Sequence, residues 1–405
     1  MLVHFNSIQK VNPISKAQFG SSNIAFQGHS LLDKYTNEKP VPAGLKALFE
    51  VLPKAELHAH SSGSHPMRFV KDKLELEGNT QTQIAKQTAI PIRFNNLAKM
   101  LATSEKISWS VNTKEELETS TYLTCIKAAE DNVKYLELRT GIDFKPYTPQ
   151  QIIDGIKQGI KRAQSDLKKN GINQEVKIIV SANRYKSSED ILDDVRKTLD
   201  LAKDPDNLVV GFDIAGDESS NSIEKCTKAI KLARSNGLHV TVHAGETPTS
   251  ENLSCVQSMD KAIEAGAERI GHGSAAVENP FLLKKIKDRK IVIESSPTSN
   301  IATNNAKSYK EHPIGSMIDK EVQVSLCTDN PTIFKTNLSN EFFQLYKNGT
   351  INSWNDIKKL VLNGIKGSFL PDKEKKEKIS EFENDLQEIE QTPYFKKIIT
   401  TYLTP

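Results

Sequence analysis

The chain has 405 residues, 37% of them hydrophobic, which is enough to bury one large core, and a single unit of about 250 to 350 residues is the natural reading. Its 54 basic and 51 acidic residues are mixed along the sequence and leave a formal net charge of +3, without a basic block of the kind that grips DNA or RNA, so no nucleic-acid partner is expected. Cys125, Cys226, Cys255 and Cys327 lie far apart with no CxxC pair, which indicates neither a zinc ribbon nor a disulfide framework and fits a reducing compartment.

Residues 1–45 are rich in Asn, Ser, Gln and Lys and show no sustained period, so they read as a polar tail or surface wrap ahead of a catalytic domain over 46–405. No basic-then-apolar leader opens the chain, and no run approaches the roughly 18 to 20 apolar residues of a membrane span, so a soluble, cytoplasmic protein without a membrane partner is expected. The first β-type segment, 55–58, carries Glu56-Leu57-His58-Ala59-His60. Two histidines two residues apart on a strand project from the same face, a chelating geometry.

A long gap follows, with room for several helices between His65 and Asp131 that can cover the mouth of whatever the strands build. Further β-type segments lie at 135–138, 176–180, 208–212, 240–242, 269–271, 291–294 and 322–326. Between them, 153–167, 188–202, 222–235 and 259–265 repeat apolar residues at helical spacing. Eight strands alternating with helices predict an α/β fold, a (β/α)8 TIM barrel with a helical insertion after strand 1 and extra C-terminal helices beyond Pro331.

The chemically interesting residues all fall at strand ends, where such barrels build their sites. His58, His60, His243 and Asp329 make an imidazole and carboxylate set suited to one zinc ion with a position left for water. Binding can lower the pKa of that water from about 15.7 toward 7. Asp329 is placed to accept the water's proton, and His272, in Gly271-His272-Gly273, to orient it. Glu246 follows His243 across an Ala-Gly turn and is the candidate general acid for a ring nitrogen. His4, His29, His65, His239 and His312 read as structural or solvated, with His65 on a surface loop, and Glu56 and Glu137 as members of polar layers near the barrel.

From Leu52 to Phe334 these segments resemble the adenosine deaminase family of the metal-dependent amidohydrolase superfamily. The resemblance rests on 53–60, on 132–139, on Gly211-Phe212-Asp213-Ile214-Ala215-Gly216-Asp217-Glu218, and on His243-Ala244-Gly245-Glu246. It continues through 269–273, Ser296-Pro297-Thr298-Ser299-Asn300 and Thr328-Asp329-Asn330-Pro331. It implies hydrolytic deamination of a 6-aminopurine nucleoside such as adenosine or deoxyadenosine, with water and a small-molecule purine as partners, in purine metabolism. Glu246 would protonate N1 and the Gly216 amide would meet N3. Substrate contacts fall to His60, Ser62, Gly216 and Asn330.

Two positions depart from the family pattern. Ser61-Ser62-Gly63 stands where Leu-Asp-Gly is usual, and the missing Asp is expected to contact the ribose 5′-hydroxyl, so a 5′-modified nucleoside, a nucleotide or free adenine is the alternative substrate. Asn330 replaces a second Asp that contacts N7, and its amide can donate there without needing a proton. A barrel that binds purine without turnover is the remaining alternative.

Overall fold

The computed structural model describes residues 43–403, except 95, 109, 207 and 248–253. Eight parallel strands pair in chain order: β1 (Lys54–His60), β2 (Val133–Thr140), β3 (Glu175–Asn183), β4 (Val209–Ala215), β5 (His239–Ala244), β6 (Arg269–His272), β7 (Val292–Ser295) and β8 (Val324–Leu326). The ring is drawn together where Ala59 bridges Asp329: His60 N donates to the Asp329 carbonyl and Asp329 N to the His58 carbonyl, each at 2.8 Å. The expected α/β barrel is therefore present, with all eight strands where the pattern places them.

The strands are buried at nearly every position, the mark of a parallel sheet covered on its outer face by helices and filled inside by its own side chains. Apolar residues such as Val176, Phe212 and Val240 belong to the barrel core, while Glu137, Arg139, Asp213, Arg269 and Glu294 are also fully buried. β1, β2, β4 and β5 continue two or three residues past their apolar runs, to His60, Thr140, Ala215 and Ala244. The polar residues in these extensions hide them from an apolar-period reading.

The outer helices start where their capping chemistry dictates. Thr113 with Glu116, Thr148 with Gln151, and Ser254 with Gln257 form reciprocal capping boxes at the entries to Lys114–Glu130, Pro149–Lys169 and Cys255–Ala265. The insertion after β1 comprises Ser61–Ser64, Met67–Leu76, Gln81–Gln87, Leu97–Ser108 and Lys114–Glu130. Val70, Leu74, Ile84, Phe94, Leu97 and Met100 form a second small core that packs on Ala302, Ile333 and Phe334. That contact holds the insertion over the carboxyl ends of the strands.

Leu338–Lys347, Trp354–Lys366, Asp372–Gln391 and Pro393–Tyr402 are the extra C-terminal helices. The expected tail lies outside the described residues except for its last three, which open the helix Ala43–Val51; Leu45 is buried there, and Phe49 stacks on Phe342 at 6.2 Å. Leu45, Leu48 and Phe49 give this helix a buried apolar face. Among the described residues no helix is long and apolar enough to cross a membrane.

Glu341, buried in Leu338–Lys347, accepts from Thr298 N (3.2 Å) and Thr336 Oγ1 (2.6 Å), and burial pushes its carboxyl up to about 7. A folded-state value above the unfolded one means its stabilising contribution is complete at low pH and is lost as pH rises through about 7. Thermal melts between about pH 4.5 and 7 should therefore show a downward slope in Tm that Glu341→Gln flattens. Parallel slopes in the two proteins would contradict this.

Candidate active site

His58 and His60 leave the end of β1 on one face, as their spacing requires, and meet His243 from β5 and Asp329 just past β8. His60 Nε2 lies 3.1 Å from His243 Nε2, and Asp329 Oδ1 lies 3.5 Å from His60 Nε2 and 3.7 Å from His58 Nε2. The far side of two rings is fixed by carboxylates. His58 Nδ1 meets Glu294 Oε2 at 2.9 Å, and His243 Nδ1 meets Asp213 Oδ1 at 3.1 Å. Arg139, itself buried, pairs with both Glu294 and Asp213 and so compensates them. Despite burial, His243 and Arg139 hold the Asp213 carboxyl below its ordinary range.

Burial, reinforced by Arg139 and the neighbouring imidazoles, holds His58 well below its ordinary value; burial and His243 hold His60 down to about 3. A neutral His58 that donates through Nδ1 to Glu294 presents a bare Nε2 lone pair, and this buried Nε2 has no hydrogen-bond partner. Lone pairs converging on one point at these spacings are mutually repulsive without a cation, so the donor set fits a divalent ion. All four expected ligands are brought together.

Glu246 and His272 stand on the open side of this cluster, with His272 Nε2 3.5 Å from Glu246 Oε2. Burial, with Asp329 and Glu218 nearby, pushes the Glu246 carboxyl well above its ordinary range and so favours its protonated form. Glu218 accepts from three consecutive backbone amides, Gly245 (3.1 Å), Glu246 (2.6 Å) and Thr247 (2.7 Å), and from Ser258 Oγ (3.1 Å). This clamp fixes the turn that aims Glu246, where Gly245 takes a φ of 73° and a Cβ would strike Met259 Sδ at 2.4 Å.

A pocket of about 220 Å³ opens above the cluster, lined by His60, Ser62, Gly216, Glu246, His272 and Asn330 together with Leu97, Met100, Leu101 and Ser104 from the insertion. The residues expected at the substrate are thus gathered around one cavity. Gly216 has φ 99°, and a Cβ there would lie 2.7 Å from Asn183 Oδ1, so the backbone is bare where it faces the pocket. Asn330 Nδ2 donates to Asp329 Oδ1 at 2.6 Å, an engagement that the sequence does not suggest, while its Oδ1 sits against Gly63, where a Cβ would come within 1.8 Å.

Glu56 and Glu137 act in the polar layers, as expected: Glu56 accepts from Thr328 N and Oγ1 and from His58 N, and Glu137 from Arg269 and Tyr135. His65 is not on the surface; it is buried and bonds Ser120 Oγ at 2.6 Å, because the insertion closes over its loop. Arg139, Asp213 and Glu218 stand in segments that carry the family resemblance but were given no role by sequence reasoning, and Glu294 lies outside those segments. Each is a charged residue in or beside an otherwise apolar strand.

A family model described as adenosine deaminase matches residues 53–384. The adenosine deaminase of Clostridium perfringens is 32% identical over 339 residues, covering 81% of this chain and 97% of that protein. An N6-mAMP deaminase of Arabidopsis shares the fold with a TM-score of 0.72 at 23% identity, over 84% of this chain and 99% of that one. A zinc-bound amidohydrolase from Burkholderia ambifaria does so with a TM-score of 0.74 at 22% identity, over 89% and 96%.

Proposed function

The chain belongs to the adenosine deaminase family of aminohydrolases, and from that premise we propose that it hydrolyses the 6-amino group of adenosine or deoxyadenosine, releasing ammonia and leaving inosine or deoxyinosine. The observation that carries the proposal is the convergence of His58, His60, His243 and Asp329 beside the pocket that Glu246 lines, with the buried Glu246 carboxyl pushed well above its ordinary range. His58, His60, His243 and Asp329 would hold a single zinc ion, whose chemistry when bound is to make water nucleophilic near neutral pH.

The protein's own groups divide the remaining work. Asp329 takes the attacking water's proton as the oxygen adds to C6, and His272 holds that oxygen in line. Glu246 delivers its proton to N1, so the ring accepts the electron pair displaced from the C6–N1 bond without building negative charge. Asp329 then passes the proton it took to the amino group, which leaves as ammonia while the C6 hydroxyl becomes the carbonyl and its proton replaces the one Glu246 gave. The bare backbone at Gly216 orients the purine through N3, and the second N–H of Asn330 is available to N7.

The far end of the pocket favours an uncharged 5′ group. Among the described residues no lysine or arginine lines it, whereas Leu97, Met100 and Leu101 do. A 5′-phosphate buried there would lose water without gaining a cation. Ser62 in place of the family's Asp leaves room for a small apolar 5′ substituent, which makes 5′-thio nucleosides the second reading.

Zinc-loaded protein offered adenosine, 2′-deoxyadenosine, adenine, AMP and 5′-methylthioadenosine should release ammonia fastest from the uncharged nucleosides. Preference for AMP would overturn the 5′ assignment. Ser62→Asp, which restores an acceptor for a free hydroxyl and repels an apolar group, should move the kcat/KM ratio of adenosine to 5′-methylthioadenosine upward by about 10-fold or more. An unchanged ratio would place the 5′ end elsewhere.

A further inference from the structure

His272 is the end of a hydrogen-bonded chain that begins on the backbone. Ile314 N, which can only donate, meets His312 Nδ1 at 3.1 Å; His312 Nε2 meets Asn300 Oδ1 at 3.1 Å; Asn300 Nδ2 meets His272 Nδ1 at 3.2 Å. All three side chains are buried, at 3%, 0% and 1% exposure, so water does not offer alternative partners. Burial pushes His312 down to about 3, in keeping with the bare Nδ1 that the Ile314 amide requires.

The direction of every bond follows from the first. His312 must accept at Nδ1, so its single N–H is at Nε2, and Asn300 must present its carbonyl oxygen to it. The Asn300 amide nitrogen then faces His272 and donates to Nδ1. His272 is left with its proton on Nε2, the atom that points at Glu246 and the pocket.

We propose that His312 and Asn300 are positioning residues that lock His272 as the Nε2–H tautomer, so that His272 serves as a hydrogen-bond donor to the attacking oxygen and the water's proton goes to Asp329. The division of labour rests on the deaminase reading above, whereas the tautomer lock stands apart from it. In sequence the lock is Asn300, the last residue of the Ser296–Asn300 segment, and His312, a lone histidine whose partner is 12 residues away.

The experiment is imidazole nitrogen NMR on zinc-loaded protein, with the His272 signals assigned by their loss in His272→Gln. In the unsubstituted protein the protonated nitrogen of His272 should be Nε2; a proton on Nδ1 overturns the proposal whatever the protein catalyses. Asn300→Asp puts a carboxylate against Nδ1 and should move the proton there, with kcat falling about 100-fold and KM changing less than about 3-fold. His312→Gln keeps an amide donor toward Asn300 Oδ1 and should preserve the tautomer and most of kcat. A variant at Asn300 that keeps the Nε2 proton and the wild-type kcat would also refute the lock. Absence of deaminase activity with the Nε2 proton in place would sink the reading of the reaction and leave the lock standing.

Discussion

Glu246→Gln should lower kcat by about 1,000-fold, roughly 4 kcal/mol of transition-state stabilisation, while leaving metal content and Tm close to those of the parent. The substitution is nearly isosteric and keeps a group able to donate a hydrogen bond to N1, but an amide cannot hand over its proton. Substrate binding is therefore retained and proton transfer is lost. The turn that carries the residue stays in place, because the Glu218 carboxylate bonds its backbone amides and not its side chain. The carboxyl of Glu246 is pushed well above its ordinary range by burial and by the Asp329 and Glu218 charges. As an acid, Glu246 works while protonated, so kcat/KM should hold through neutrality and fall as pH rises through its raised value. A variant with more than about a tenth of wild-type kcat would remove Glu246 from the acid's role.

The second large effect is expected at the metal cluster. A chelator should reduce turnover by at least about 1,000-fold, and zinc should restore it in the parent protein but not in His243→Ala. His243 is the choice because its removal deletes a ligand and also takes a partner from buried Asp213, leaving it Arg139 and the Ser181 hydroxyl. Glu294→Gln tests the layer behind. Its carboxylate bonds His58 Nδ1, Arg139, Arg269 and Thr241 Oγ1 at once, and loss of the charge should weaken metal affinity by about 10- to 100-fold. Full activity after exhaustive chelation, with metal absent by elemental analysis, would contradict both expectations.

The parts of this site that were legible in the sequence are those governed by strand period and by the location of strand ends. His58 and His60 announce themselves by two-residue spacing on a strand, and His243, His272 and Asp329 by closing short apolar runs. The supporting layer was not legible, because its contacts are made across the barrel. Glu294 meets His58 over a separation of 236 residues, and Arg139 reaches Glu294 over 155. No local period records such a pairing. His312 looked like an isolated histidine for the same reason, and His65 looked exposed because the burial of its loop depends on the packing of an insertion whose helices have their own small core.

The most direct test of the central claim is to follow adenosine with zinc-loaded protein and count both products. The expected result is one ammonia and one inosine per adenosine consumed, with neither formed by Glu246→Gln above background. Bound zinc and bound adenosine without either product would contradict the assignment and leave a barrel that holds a purine but does not hydrolyse it.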